Sequence, residues 1–262
     1  MLRRTLLGTA LIMGMHVHGQ EDQLILGERF TTPSKILGED RTINIYRTPE
    51  AEGDLHVFYL LDGSWDEDLI PVCGLIRFAS FPWVEMIPQA LVVGIANVDR
   101  RRDLTHPTSI EEDRLEFPTT GGSERFMRFV NDELRPEITR RYGQAASSTL
   151  IGQSFGGLFA LEVLRTSPGS FNNYIMVSPS LWWDKGSLIQ QKQPEIAEGT
   201  GIYIAWGAEG EQMDAAMSSL QRSFEAPGSN KAKIMLDHLP DHDHADAMLL
   251  AVYRGLRHLF KK

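Results

Sequence analysis

The stretch Ser148-Thr149-Leu150-Ile151-Gly152-Gln153-Ser154-Phe155-Gly156-Gly157-Leu158-Phe159-Ala160-Leu161 runs from a short apolar segment through a Gly-x-Ser-x-Gly pentapeptide into an apolar segment of helical character. A strand that enters such a pentapeptide and a helix that leaves it enclose a sharp turn with Ser154 at its tip. The glycines are required where the chain passes close to itself, and a side chain at Gly152 or Gly156 is expected to collide with neighbouring backbone. The turn projects the Ser154 hydroxyl from the C-terminal edge of a sheet, with the positive end of the following helix directed toward it. Ser154 is therefore a candidate nucleophile, and an alternation of strands and helices is expected on both sides of it.

Outward from this turn the alternation continues. Gly27 to Leu37 and Arg41 to Arg47 read as an opening antiparallel pair joined at Gly38-Glu39-Asp40, because polar and apolar residues alternate through Thr42-Ile43-Asn44-Ile45-Tyr46. His56 to Leu61, Ala90 to Ile95, Ser148 to Ile151 and Ile202 to Trp206 are nearly continuous apolar runs, as central strands covered on both faces require. Asn173 to Val177 and Ala232 to Leu236 complete a sheet of about eight strands. Helices are expected over Glu67 to Ala79, Ser123 to Tyr142, Phe155 to Arg165, Gln212 to Phe224 and about Ala245 to Phe260. In the last, Met248, Leu249, Val252, Leu256, Leu259 and Phe260 mark one buried face. Arg100 to Gly122 reads as one long connection with mixed charges and Gly121-Gly122.

The chain has 262 residues, 42% of them hydrophobic and 23% charged, which suits a single α/β domain over residues 20–262 and excludes disorder, collagen and coiled coil. Cys73 is the one cysteine, so an internal disulfide and a zinc site built on several thiolates are excluded. The formal net charge of −9 supplies no basic field, and nucleic acid is not an expected partner. Met1-Leu2-Arg3-Arg4 followed by the mostly apolar Thr5 to Met15 and by Val17-His18-Gly19 reads as a signal peptide over residues 1–19. The expected product is exported, periplasmic or secreted, without a stable membrane anchor.

A serine hydroxyl needs a base, and in this strand–turn–helix arrangement the partners follow in the order serine, acid, histidine. His238, His242, His244 and His258 lie after Ser154. His242 and His244 stand in Pro240-Asp241-His242-Asp243-His244, between the last strand and the last helix. His244 is chosen because it opens that helix and is followed by small residues, with His242 as the alternative base. The same loop also admits a metal site. The acid is expected in Gly207-Ala208-Glu209-Gly210-Glu211, where Glu209 comes first after the strand and Glu211 and Asp214 are alternatives. It would accept the second imidazole N–H and stabilise the imidazolium. Two backbone donors are needed for an oxyanion: Phe155 N–H after the nucleophile, and Ser64 N–H in Asp62-Gly63-Ser64-Trp65, with Asp62 read as a turn former.

These segments resemble the esterase family of α/β hydrolases that includes enterochelin-type siderophore esterases, formylglutathione hydrolase, feruloyl esterases and mycolyltransferases. Leu60-Leu61-Asp62-Gly63 is similar to the family's oxyanion segment, Ile151 to Gly157 to its elbow, and Gly207-Ala208-Glu209 and Leu239 to His244 to its acid and base loops. Ser178-Pro179-Ser180-Leu181-Trp182-Trp183 resembles the double-tryptophan segment of the siderophore esterase branch, and Val98-Asp99-Arg100 with Asp103-Leu104 resembles it more loosely. The resemblance implies an α/β-hydrolase fold with a mostly parallel central sheet and helices on both faces. It also implies a serine esterase acting on a small-molecule ester through an acyl-enzyme, with no cofactor and no metal. Trp182, Trp183 and Arg100 are then expected to line the substrate pocket. A catalytically silent binding protein and an acyltransferase remain the alternatives.

Overall fold

In a computed structural model of the chain, which describes residues 24–49, 53–191, 194–225 and 232–261, strands β1 (Glu28–Ser34) and β2 (Glu39–Arg47) form the expected antiparallel pair. The signal-peptide reading of residues 1–19 falls outside the described residues. Six further strands complete the sheet: β3 (Leu55–Leu60), β4 (Ala90–Ile95), β5 (Ala145–Gln153), β6 (Asn173–Val177), β7 (Gly201–Gly207) and β8 (Lys233–Leu239). Their order is β1-β2-β4-β3-β5-β6-β7-β8, antiparallel from β1 through β4 and parallel from β4 through β8. This is the mostly parallel sheet that the α/β-hydrolase resemblance implies, and β3 and β4 are buried along their whole length, as the continuous apolar runs require.

Alternate residues of each strand feed two cores, one on each face. Val57, Tyr59, Leu91, Val93, Leu150 and Met176 face α4 (Ser123–Arg128), α6 (Phe155–Thr166) and α8 (Glu211–Glu225). Phe58, Leu60, Val92, Ile151, Ile175 and Tyr203 face α1 (Leu69–Ala79) and α9 (Ala247–Phe260). On α9 Met248, Val252 and Leu256 are buried as expected and Leu259 and Phe260 pack partly against the core, but Leu249 is exposed. Every residue of α6 from Phe155 to Arg165 is buried, so the helix behind the serine turn is fixed on all sides.

Two stretches depart from expectation. The segment expected as one helix from Ser123 to Tyr142 is α4, a π turn over Phe129–Leu134, and α5 (Arg135–Tyr142). Pro136 has no N–H for the carbonyl four residues back, and a wider turn absorbs that defect. Glu133 in the π turn accepts hydrogen bonds from Ser34 Oγ and Lys35 N. The connection after β4 is not structureless: it holds α2 (Arg100–Leu104) and α3 (Glu111–Glu116). Asp99 caps α2 by accepting from Arg102 N, and the fully buried Arg41 of β2 bonds Asp103 at 2.6 Å. The pair ties α2 to the sheet, and loss of either partner would leave an uncompensated buried charge. The remaining short pieces are a 3-10 turn (Trp183–Gly186) and α7 (Ser187–Gln190).

The winding reverses at β3, with β4 added on one side and β5 on the other. In open α/β sheets the carboxyl ends at such a reversal form a crevice. Asp62–Ser64 and Gln153–Phe155 emerge there, and the loops after β6, β7 and β8 arrive beside them.

Candidate active site

Ser154 has φ 58° and ψ −119°, a strained conformation held from both sides. Its N–H donates to Val177 O at 2.9 Å and its carbonyl accepts from Ser180 N at 3.1 Å, so the turn is clamped to the end of β6. A Cβ on Gly152 would lie 2.5 Å from the carbonyl of Gly156, which explains that glycine. Gly156 is different from expectation, since a Cβ there would meet nothing closer than 3.4 Å. It is the backbone of Gly156, not space around its own Cα, that the close approach involves. The Ser154 hydroxyl lies 3.2 Å from the Ser180 hydroxyl, and Phe155 N–H, at the first position of α6, has no intrahelical acceptor.

The acid and base loops are pressed together through their backbones. Ala208 N donates to His242 O at 2.7 Å, and a side chain on Gly207 would strike that carbonyl at 2.6 Å. This contact leaves the two side chains that follow facing one another, with Glu209 Oε2 2.6 Å from His244 Nδ1. Gly207 N–H donates to the other Glu209 oxygen at 3.2 Å. The alternatives stand apart from this pair: Asp214 accepts from Trp206 Nε1, His242 Nδ1 lies 3.2 Å from Asp246, and Glu211 is exposed at the start of α8. Burial pushes the Glu209 carboxyl up, but the hydrogen bonds it accepts, from His244 foremost, outweigh that and hold it below the usual range. His244 moves the other way, raised by its hydrogen bond to Glu209 against partial burial and the nearby Arg100 charge.

Sequence reasoning passed over Gln153, the variable position of the pentapeptide. Its Nε2 donates to the His244 carbonyl at 2.5 Å and ties the base loop directly to the elbow. A glutamine in that slot carries no local signal, because its partner is 91 residues away.

The expected second oxyanion donor is occupied. Ser64 N–H donates to Glu67 Oε2 at 3.1 Å, and Glu67 Oε1 accepts from Asn97 Nδ2 at 2.8 Å. Asp62 is more than a turn former: it is buried, has φ 52°, and binds Arg100 through both oxygens.

Two cavities meet at His244. One, about 400 Å³, is lined by Ser154 with Asp62, Glu67, Asp68 and Arg100. Burial, with Asp62 and Glu67 nearby, pushes Asp68 up to about 6. The other, about 660 Å³, is lined by Ser180, Trp182, Lys185, Met213 and Glu209. Trp182 is 40% exposed and forms part of this wall. Trp183, expected beside it, is 0% exposed and donates Nε1 to His106 O at 2.9 Å, so it is a core residue and lines neither cavity. Of the three adjacent arginines, Arg100 is bound by Asp62 and Arg102 by Glu39 and Asp103, while Arg101 lies over the Phe117 ring. Among the described residues no three His, Cys, Asp or Glu side chains converge as metal ligands, and no helix is long and apolar enough to cross a membrane.

The chain is 35% identical over 170 residues to the ferri-bacillibactin esterase BesA of Bacillus subtilis, a match covering 58% of each chain. It is 28% identical over 195 residues to the siderophore triacetylfusarinine C esterase of Aspergillus fumigatus, covering 62% of this chain and 65% of that one. The matches thus span under two thirds of either relative's length. Among solved structures, the BES protein from Bacillus cereus superposes with a TM-score of 0.82 at 24% identity over 94% of this chain and 100% of that one. An IroE-like serine hydrolase from Shewanella oneidensis gives 0.77 at 26% identity, over 90% and 80%. The family model described as Putative esterase matches residues 34–245, a span that holds the serine turn and both loops around it, and the chain belongs to that family of α/β hydrolases.

Proposed function

We propose that the protein is a serine carboxylester hydrolase whose triad is Ser154, His244 and Glu209. The observation that carries this reading is the 2.6 Å contact between Glu209 and His244 Nδ1, beside a strained serine that shares a cavity with the same imidazole. With Nδ1–H given to Glu209, the Nε2 lone pair is left for the serine. Ser154 exchanges its Ser180 partner for His244 and attacks the ester carbonyl carbon as its proton passes to Nε2. Phe155 N–H, and Ser64 N–H once Glu67 releases it, bind the oxyanion. The imidazolium then protonates the departing alkoxide, and water hydrolyses the acyl-enzyme by the same route. The relatives named above suggest a siderophore-type ester as substrate. The two cavities flanking His244 give room for groups on both sides of a scissile bond.

The test is intact mass and peptide mapping of wild-type and Ser154→Ala protein treated with a fluorophosphonate. One adduct on Ser154, absent from the variant, is the expected result. A folded wild-type protein that takes no label overturns the hydrolase and favours a binding protein of the same fold. The same spectra of protein made in an exporting host read whether the chain begins at Gln20, as removal of residues 1–19 requires.

A further inference from the structure

Arg100 makes contacts on two separate chain segments that the proposed mechanism uses. Its Nε donates to Asp62 Oδ1 at 2.6 Å and its Nη2 to Asp62 Oδ2 at 2.9 Å, which engages the carboxylate through both oxygens. Nη2 also reaches the Gln153 carbonyl at 3.3 Å, immediately before the nucleophile, and the guanidinium carbon lies 5.7 Å from the Phe155 ring centre. Asp62 precedes the Gly63-Ser64 turn and holds a left-handed conformation that residues with a side chain adopt at an energetic cost. Asn97 Nδ2 bridges Asp62 Oδ1 and Glu67 Oε1, and Glu67 in turn accepts from Ser64 N. Arg100 therefore reaches Ser64 through Asp62 and the Gly63 turn that joins them, a link that persists when Glu67 leaves, while the same guanidinium grips the elbow. The helix that carries Arg100 is itself fixed by the buried Arg41–Asp103 pair.

We propose that Arg100 is a positioning residue: through Asp62 on one side and the Gln153 carbonyl on the other, it sets the spacing between the two backbone donors of the oxyanion site. It does not act as the cation that recognises a substrate anion. The bidentate partner already neutralises it, and a planar guanidinium with donors in a fixed fork suits this three-acceptor task in a way an ammonium does not. The inference rests on the assignment of Ser154 as nucleophile and of Phe155 and Ser64 as donors.

The test compares wild type with Arg100→Gln, Arg100→Lys, Asp62→Asn and the Arg100→Gln/Asp62→Asn double variant. Each is assayed on a neutral p-nitrophenyl acyl ester and on p-nitrophenyl succinate, whose acyl group carries a carboxylate. Expected for Arg100→Gln is a fall in kcat of about 10²-fold on both esters, with KM within about threefold and fluorophosphonate labelling slowed in parallel, as misplacement of one oxyanion donor requires. Arg100→Lys restores little, and the double variant is no slower than the worse single one, because the two residues act as a unit. A rise in KM confined to the succinate ester, with kcat retained, overturns the proposal in favour of anion recognition. Wild-type kcat in Arg100→Gln overturns it outright. If Arg100→Gln does not fold, as judged by its thermal transition, Arg100→Lys and Asp62→Asn carry the same readouts. Failure of the wild type to label strikes the hydrolase reading instead, so the two failures are distinguishable.

Discussion

Glu209 Oε2 stands 2.6 Å from His244 Nδ1, and this contact raises the imidazole and, against burial and together with weaker hydrogen bonds, holds the carboxyl down. The proposed mechanism needs a neutral imidazole, so kcat/KM is expected to rise with pH through a value above the ordinary histidine range of about 6.5. Glu209→Gln removes the charge that favours the imidazolium but leaves partial burial and Arg100, which oppose it. The acidic limb therefore moves to lower pH while kcat falls by about 10²–10⁴-fold. A pH–rate profile of both proteins checks this, with Asp68→Asn as the control for the carboxyl that titrates at about 6 in the same cavity. An unmoved limb in Glu209→Gln removes Glu209 from the triad.

The same contact has a pH window in stability. His244, raised in the fold, contributes fully below its unfolded value and loses that contribution as pH rises through its raised value. Glu209, lowered in the fold, contributes above its unfolded value and loses that contribution as pH falls through its lowered one. Their joint contribution is expected to be full between about pH 4.5 and 6.5 and to fade on either side. Denaturant midpoints of wild type and Glu209→Gln across that range read it directly.

Glu67 occupies the Ser64 N–H, so the proposed oxyanion role of that donor requires the exposed carboxylate to leave. Glu67→Ala is expected to label with a fluorophosphonate about three- to tenfold faster than wild type, the scale of one solvent-accessible hydrogen bond of ~1 kcal/mol. An unchanged or slower rate shows that the carboxylate does not compete with the oxyanion.

Adjacent tryptophans are expected to fail in different ways. Trp183→Ala empties a fully buried site and removes the donor to His106 O, with a loss of about 3–5 kcal/mol in urea unfolding. Trp182→Ala leaves stability within about 1 kcal/mol and raises KM for aryl esters, because this ring walls the larger cavity. Equal destabilisation by the two changes contradicts the division between core and wall.

The two elbow glycines separate similarly. Gly152→Ala drives a methyl to 2.5 Å from the Gly156 carbonyl and is expected to destabilise by about 1–3 kcal/mol and abolish labelling. Gly156→Ala meets only ordinary contacts and is expected to fold with its thermal midpoint nearly unchanged. Thermal transitions and labelling of both variants settle the comparison.

By itself, the sequence determined the strand–turn–helix around Ser154, the eight strands and the two loops that bring Glu209 and His244 together, because all of these write local signatures. Continuous apolar runs mark strands covered on both faces, and glycines mark close backbone approach. It also narrowed acid and base to a few residues in two short loops. Tertiary structure decided the rest. Glu209 rather than Asp214 meets His244 because the Gly207–His242 backbone contact aims the two loops at each other, and Trp206 holds Asp214 away. Trp183 turned inward and Trp182 outward at a 3-10 turn that no apolar periodicity announces. Arg100 reads as a pocket-lining residue in the sequence, yet its partners Asp62 and Gln153 lie 38 and 53 residues away. Hydrophobic pattern is local and survives in the one-dimensional record, whereas a buried charge is defined by its partner, and the partner is known only once the chain has folded.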